Sequence, residues 1–91
     1  MSLIRKHVFV TGKVQNVGFR LNARHQAREL GLTGWVRNLP DRRLELCFQG
    51  EQGIVSEMED WCRVGPPCAR VMDISISDVP PVEDEASFEI L

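Results

Sequence analysis

The order of strand-like and helix-like segments in this sequence predicts an α+β sandwich, in which two helices cover one face of an antiparallel sheet. Three observations lead to this class. Apolar and polar residues alternate in several short stretches, as is typical of half-buried strands. Two other stretches carry apolar residues at helical spacing. The chain has 91 residues, which is the size of one domain spanning residues 1–91.

Turn and helix-stop residues separate these segments clearly. Gly31 suits the position just after a helix, and residues 65–67 (Gly-Pro-Pro) end a second helix. Residues 39–42 (Leu-Pro-Asp-Arg) predict a turn that joins two strands into a hairpin. The predicted segments, in chain order, are strand 4–13, helix Phe19–Leu30, strand Leu32–Asn38, strand Arg43–Gln49, helix Gly53–Arg63, strand Val71–Ser77 and a short final strand Phe88–Leu91.

The periodicity also predicts which side chains face the core. In the first strand Val8 and Val10 share one face, opposite His7 and Phe9, and Gly50 interrupts the third strand. The expected buried positions of the helices are Phe19, Ala23, Ala27 and Leu30, and then Ile54, Met58, Trp61 and Cys62. In the fourth strand Met72, Ile74 and Ile76 alternate against Val71, Asp73, Ser75 and Ser77.

The resulting order is β-α-β-β-α-β with a short C-terminal edge strand. Crossovers between parallel strands are almost always right-handed, so two intertwined units place both helices on the same face of the sheet. The sequence therefore predicts a ferredoxin-like sandwich with an antiparallel sheet.

Composition excludes several classes of function. The net charge of −2 provides no overall basic field for nucleic acid, and no apolar run approaches the length of a membrane span. The N-terminus shows no signal-peptide pattern, and the three cysteines are odd in number and lack CxxC spacing. We therefore expect reduced thiols and a cytoplasmic monomer that binds neither nucleic acid nor membrane.

The junction between the first strand and the first helix is the candidate site. It runs from Gly12 to Arg20, with small residues in the loop and an arginine at the helix start. A helix N-terminus carries partial positive charge, so a cation there fits best when an anion is bound beside it. The alternative is a surface arginine that points away from the helix end.

The sequence lacks the motifs of other common catalytic mechanisms. Neither His7 nor His25 accompanies a serine or cysteine nucleophile in a recognisable motif, and no glycine-rich nucleotide-binding motif is present. The acidic groups at 57–60 and 83–85 are interpreted as solvated surface rather than as a metal site. The sequence thus gives no indication of a metal site or of a nucleotide-binding site.

Two motifs resemble those of one enzyme family. Residues 12–20, Gly-Lys-Val-Gln-Asn-Val-Gly-Phe-Arg, resemble the acylphosphatase signature G-x-V-Q-G-V-x-F-R. Residues 34–38, Gly-Trp-Val-Arg-Asn, followed by Asp41, resemble the second signature, G-W-V-x-N-x-x-D-G. Their spacing also matches, as do the Gly-Pro-Pro segment and the Phe88-Glu89-Ile90 ending, so the resemblance covers essentially the whole chain.

This resemblance implies hydrolysis of acyl phosphates to a carboxylate and inorganic phosphate, without a metal or cofactor. It implies that Arg20 binds the phosphate and that Asn38 orients the attacking water. It also implies a phosphate-binding loop formed by the backbone N–H groups of Gln15, Asn16, Val17, Gly18, Phe19 and Arg20.

Two positions depart from the family pattern. Asn16 stands where the family usually has glycine, and Asn tolerates a positive φ better than most residues, so we expect the loop to keep its shape. Arg42 replaces the glycine of the Asp-Gly turn, which leaves an extra positive charge on the hairpin.

Two other functions remain as alternatives. One is a phosphate-binding domain of the same fold without turnover. The other is an RNA-recognition motif, which shares the order of elements but stacks bases on aromatic side chains of its first and third strands. Here the third strand offers only Phe48 and the chain contains no tyrosine, which disfavours the second alternative.

Overall fold

The computed structural model describes residues 3–91, and in these residues the chain forms five strands and two helices. Neither helix has the length and apolarity that crossing a membrane would need. The elements are β1 (Leu3–Lys13), α1 (Phe19–Glu29), β2 (Thr33–Asn38), β3 (Leu44–Glu51), α2 (Gln52–Val64), β4 (Arg70–Val79) and β5 (Phe88–Ile90).

The strands form one sheet in the order β4-β1-β3-β2-β5. β1 pairs antiparallel with β3 and β4, and β2 pairs antiparallel with β3, which confirms the ferredoxin-like arrangement and the predicted hairpin. β5, in contrast, pairs parallel with β2, so the sheet is mixed rather than purely antiparallel. The reason is that the segment after β4 reverses the chain before it reaches the opposite edge of the sheet.

The core lies between the helices and one face of the sheet. Each helix buries three side chains in it: Phe19, Ala23 and Ala27 from α1, and Val55, Met58 and Cys62 from α2. Val55 was not among the predicted positions, whereas Ile54 and Trp61 are only half-buried and pack against the edge of the core. The first helix therefore follows its sequence pattern closely, and the second is rotated slightly from it.

At the start of β4, the prediction of which side chains face the core was wrong. Met72 is 76% exposed, and Val71 packs against the core together with Ile74 and Ile76. The cause is a β-bulge, because the pairing of β1 with β4 shifts register between Thr11 and Gly12. One extra residue reverses the alternation of side chains on the bulged strand.

The prediction that Gly50 interrupts β3 was wrong. It pairs with Ile4, and the strand continues to Glu51. A Cβ at this position would lie 2.5 Å from Cδ2 of Leu32, so the absence of a side chain makes room for that leucine. The glycine here reflects close packing within a strand rather than its end.

The sheet face opposite the helices is partly covered by the acidic segment after β4. Glu83 and Asp84 are exposed as expected, but Glu85 forms an ion pair with Arg5 at 2.8 Å, and Arg5 is only 6% exposed. The hydrogen bond from Arg5 holds the pKa of Glu85 below its usual value. The prediction of a fully solvated acidic surface was therefore wrong for Glu85, which anchors this segment to the sheet.

Gly34→Ala is expected to destabilise the protein by about 3 kcal/mol or more, because a Cβ would overlap the backbone carbonyl of Cys47 on the neighbouring strand. Gly34 also has a φ of 147°, which disfavours any side chain. Urea unfolding measures the change. Gly53→Ala is the matched control: nothing lies near its Cβ, and alanine there should stabilise the helix by up to about 1 kcal/mol. Equal stability of the Gly34 variant and the parent would contradict the interpretation.

Candidate active site

The loop between β1 and α1 has alternating backbone handedness. Asn16 and Gly18 have positive φ values of 60° and 78°, whereas Val17 between them does not. Such alternation turns successive N–H groups toward one concave surface that suits an anion. Asn16 thus adopts the glycine-like conformation that the sequence led us to expect at this position.

The start of α1 keeps its positive end uncompensated. The helix has no side-chain cap and no acidic residue in its first turn. Asn22 donates to the Gly18 carbonyl from both its side chain, at 2.7 Å, and its backbone N–H, at 3.0 Å. These bonds fix the loop against the helix and leave the N–H groups of the first turn without a protein carboxylate beside them.

The side chain of Gln15 ties the loop to the hairpin. Its Nε2 donates to the backbone carbonyls of Leu39 at 2.9 Å and Arg43 at 3.0 Å. The hairpin itself is closed by hydrogen bonds between Leu39 and residues 42 and 43, with Pro40 at the predicted first corner. Gln15 therefore holds the β1–α1 loop and the end of β2 in a fixed relation, a role that the sequence reasoning missed.

Asn38 is the last residue of β2, where it pairs with Leu44. Its Oδ1 is buried and accepts no hydrogen bond from residues 3–91. β1 and β2 both flank β3 in antiparallel fashion, so they run parallel and end at the same edge of the sheet. This topology explains why Asn38 lies beside the loop that follows β1.

Arg20 and Asn38 line one cleft of about 350 Å³ at this edge. Arg20 is half-buried and forms no ion pair with a carboxylate of the described chain. Of the predicted loop residues, Asn16, Gly18 and Phe19 also line the cleft, whereas Gln15 and Val17 do not. The complete lining is Val14, Asn16, Gly18, Phe19, Arg20, Leu21, Asn38 and Ile90.

Leu21 and Ile90 were not predicted as site residues. Leu21 falls outside the apolar stripe of α1. An apolar residue on the polar face of this helix, next to Arg20, was the feature of the sequence that could have indicated its place in the cleft. Ile90 reaches the cleft only because β5 pairs with β2, with Ile90 opposite Val36.

A second, more polar depression of about 590 Å³ adjoins the same loop. Val14 and Asn16 border both spaces, and the cations of the second are Lys13 and Arg42. Arg42 has a φ of 75°, so the turn keeps a glycine-like conformation despite its arginine. Gln15 lines this depression and not the cleft.

Other reactive side chains lie outside the cleft. His7 contacts Glu45, at 2.6 Å between Nε2 and Oε2, on the sheet face away from the helices. Burial raises the pKa of the Cys62 thiol well above its usual value, which keeps it protonated. Within residues 3–91 no three His, Cys, Asp or Glu side chains are grouped closely enough to hold a metal ion. The polar side chains that line the cleft are those of Asn16, Arg20 and Asn38.

Comparison with known proteins shows the family to which the chain belongs. The family model described as acylphosphatase matches residues 6–90. The chain belongs to the acylphosphatase family. It is 54% identical over 88 residues to an acylphosphatase of Trichormus variabilis, which covers 97% of this chain and 86% of that protein.

Solved acylphosphatase structures share the fold. The acylphosphatase from Coxiella burnetii superimposes with a TM-score of 0.91 at 39% identity, covering 98% of this chain and 93% of that one. The acylphosphatase from Bacillus subtilis gives a TM-score of 0.92 at 31% identity, covering 97% and 98%. The family resemblance and the ferredoxin-like fold predicted from the sequence are both confirmed.

Proposed function

We propose that this protein hydrolyses the carboxyl-phosphate bond of acyl phosphates, releasing a carboxylate and inorganic phosphate. The observation that carries the proposal is the presence in one cleft of two side chains: Arg20, which has no carboxylate partner within residues 3–91, and Asn38, whose buried Oδ1 accepts no hydrogen bond from those residues. The first suits a phosphoryl group and the second suits a water molecule. Membership of the acylphosphatase family supports the same reaction.

Arg20 binds the phosphoryl group in this mechanism. Its planar guanidinium donates two parallel hydrogen bonds to phosphate oxygens. The backbone N–H groups of residues 15–20 and the positive end of α1 bind the remaining oxygens. The transition state of phosphoryl transfer is loose and spreads charge over the equatorial oxygens, so fixed donors aimed at these oxygens lower the barrier.

Asn38 positions the nucleophile. Its Oδ1 accepts a hydrogen bond from a water molecule, which orients the water oxygen toward phosphorus. The new bond from the water oxygen to phosphorus forms as the bond from phosphorus to the acyl oxygen breaks, and the electron pair leaves with the carboxylate. A phosphoryl oxygen takes the proton of the water. The carboxylate is a stable anion, so the departing group needs no general acid.

A phosphate-binding domain without turnover is the alternative. Release of inorganic phosphate from acetyl phosphate separates the two, because a binding domain would hold phosphate without accelerating hydrolysis. The unpartnered Oδ1 of Asn38 favours the enzyme, since binding phosphate alone does not require a buried acceptor.

We further propose that the enzyme works as a cytoplasmic monomer. One chain brings Arg20 and Asn38 to the same cleft, which supports a monomer as the working unit. Cys47, Cys62 and Cys68 are free thiols, and Cys68 is exposed, which suits a reducing compartment.

Activity is expected to persist after exhaustive dialysis against EDTA, because the proposed donors are an arginine, an asparagine and backbone groups. Phosphate release from acetyl phosphate should stay within twofold of the untreated enzyme. Loss of activity that Mg²⁺ or Zn²⁺ restores would contradict the metal-free mechanism.

A further inference from the structure

Leu21 is an unusual residue for the mouth of an anion site. It directly follows Arg20 in the first turn of α1 and is 60% exposed. It contributes nothing to the buried stripe of α1, which consists of Phe19, Ala23 and Ala27. A single exposed leucine elsewhere on a protein surface is common and needs no explanation. This one lines the cleft that contains Arg20 and Asn38, where a bound substrate would cover it.

Most of the surface of the cleft is apolar. Leu21 stands on its helix side, Ile90 on its strand side, and Val14 and Phe19 form buried surface below. A phosphoryl group alone would need only polar donors. The apolar part therefore fits a ligand that has an anionic end and an apolar end.

The mechanism indicates where the apolar end lies. In an in-line displacement, the attacking water and the departing carboxylate stand on opposite sides of phosphorus. Asn38 approaches from the end of β2, and Ile90 lies on the adjoining strand β5. If water is held on this strand side, the acyl group points toward α1, where Leu21 offers exposed apolar surface.

We propose that Leu21 contacts the acyl group of the substrate and gives the enzyme a preference for uncharged aromatic or branched aliphatic acyl phosphates. This inference rests on the proposed function and adds the substrate class. The competing location for the acyl group is the polar depression beyond Asn16, where Lys13 and Arg42 would favour an acyl group with a second negative charge.

The test compares kcat/KM for benzoyl phosphate and acetyl phosphate in the parent and in Leu21→Gln. Glutamine keeps helix propensity and approximate size but removes the apolar surface. The parent should prefer benzoyl phosphate by about tenfold, and the variant should lower this ratio by about fivefold, since the contact is open to water on one side. In the variant, kcat/KM for acetyl phosphate should fall less than kcat/KM for benzoyl phosphate, because the acetyl group offers less apolar surface to Leu21. Competitive inhibition by inorganic phosphate should stay within twofold of the parent.

Val64→Gln is the matched control, because Val64 is 72% exposed at the end of α2 and lines neither space. It should leave the ratio unchanged. A ratio that Leu21→Gln does not alter would overturn the assignment of the acyl contact while leaving the proposed hydrolysis intact. A preference for succinyl phosphate over both substrates that Arg42→Gly removes would place the acyl group in the polar depression instead. Absence of hydrolysis with every acyl phosphate would overturn the proposed function and this inference with it.

Discussion

Arg20→Ala is expected to lower kcat/KM for acetyl phosphate by about three orders of magnitude or more. Among residues 3–91, Arg20 is the only cation that lines the cleft, and arginines that stabilise phosphoryl transfer commonly contribute 10³-fold or more. The fold should persist, because Arg20 has no ion-pair partner within residues 3–91 to leave behind. Kinetics and urea unfolding, measured on the same preparation, check both expectations.

Arg20→Lys separates charge from geometry at the same position. Lysine supplies a positive charge but lacks the planar pair of donors, so most of the loss should remain. Inhibition by inorganic phosphate should weaken in parallel, since Arg20 is proposed to bind the phosphoryl group in the ground state as well. Arg24→Ala is the control on the same helix, because Arg24 does not line the cleft. Parent-like phosphate binding and turnover by Arg20→Ala would show that the anion binds elsewhere.

The parts of the fold that the sequence predicted correctly depend on local patterns. Alternation in β1 placed Val8 and Val10 in the core, and helical spacing in α1 placed Phe19, Ala23 and Ala27 there. Both patterns repeat over several residues, and each residue's environment follows from its neighbours in the chain. The predicted order of elements then led to the correct sandwich, because few topologies accommodate it.

The errors arose where distant segments meet. The bulge opposite Gly12 reverses the facing of Val71 and Met72, and alternation along β4 alone contains no sign of it. The parallel pairing of β5 depends on where the chain returns to the sheet. The ion pair between Arg5 and Glu85 joins residues 80 positions apart, so composition marked that glutamate only as surface.

The residues of the candidate site also fall into those that the sequence indicated and those that only the structure reveals. Arg20 and Asn38 were found through motif resemblance, and the parallel direction of β1 and β2 explained how they meet. The side-chain role of Gln15 and the approach of Ile90 to the cleft required coordinates, because each depends on a strand or turn more than 20 residues away. The motif resemblance supplied the proposed site residues, whereas tertiary contacts determine the walls of the cleft.

Asn38→Ala is expected to reduce kcat by two or more orders of magnitude, which corresponds to about 3 kcal/mol of transition-state stabilisation. The affinity for inorganic phosphate should stay close to that of the parent, because Asn38 is proposed to orient water and not to bind phosphate. Loss of an interaction that is made only in the transition state lowers kcat and kcat/KM together. Steady-state kinetics and phosphate inhibition, measured side by side, test this separation.

The buried Oδ1 of Asn38 adds a readout that activity does not provide. No donor of residues 3–91 pairs with this oxygen, so its removal breaks no hydrogen bond within the described chain and should leave the unfolding midpoint close to that of the parent. Asn38→Asp should not restore turnover, because a carboxylate beside the phosphoryl oxygens would repel them. If Asn38→Ala instead loses phosphate affinity but turns over normally at saturation, Asn38 anchors the phosphate. Another residue would then have to orient the water molecule. The next residue to replace would be Asn16, whose amide side chain also lines the cleft.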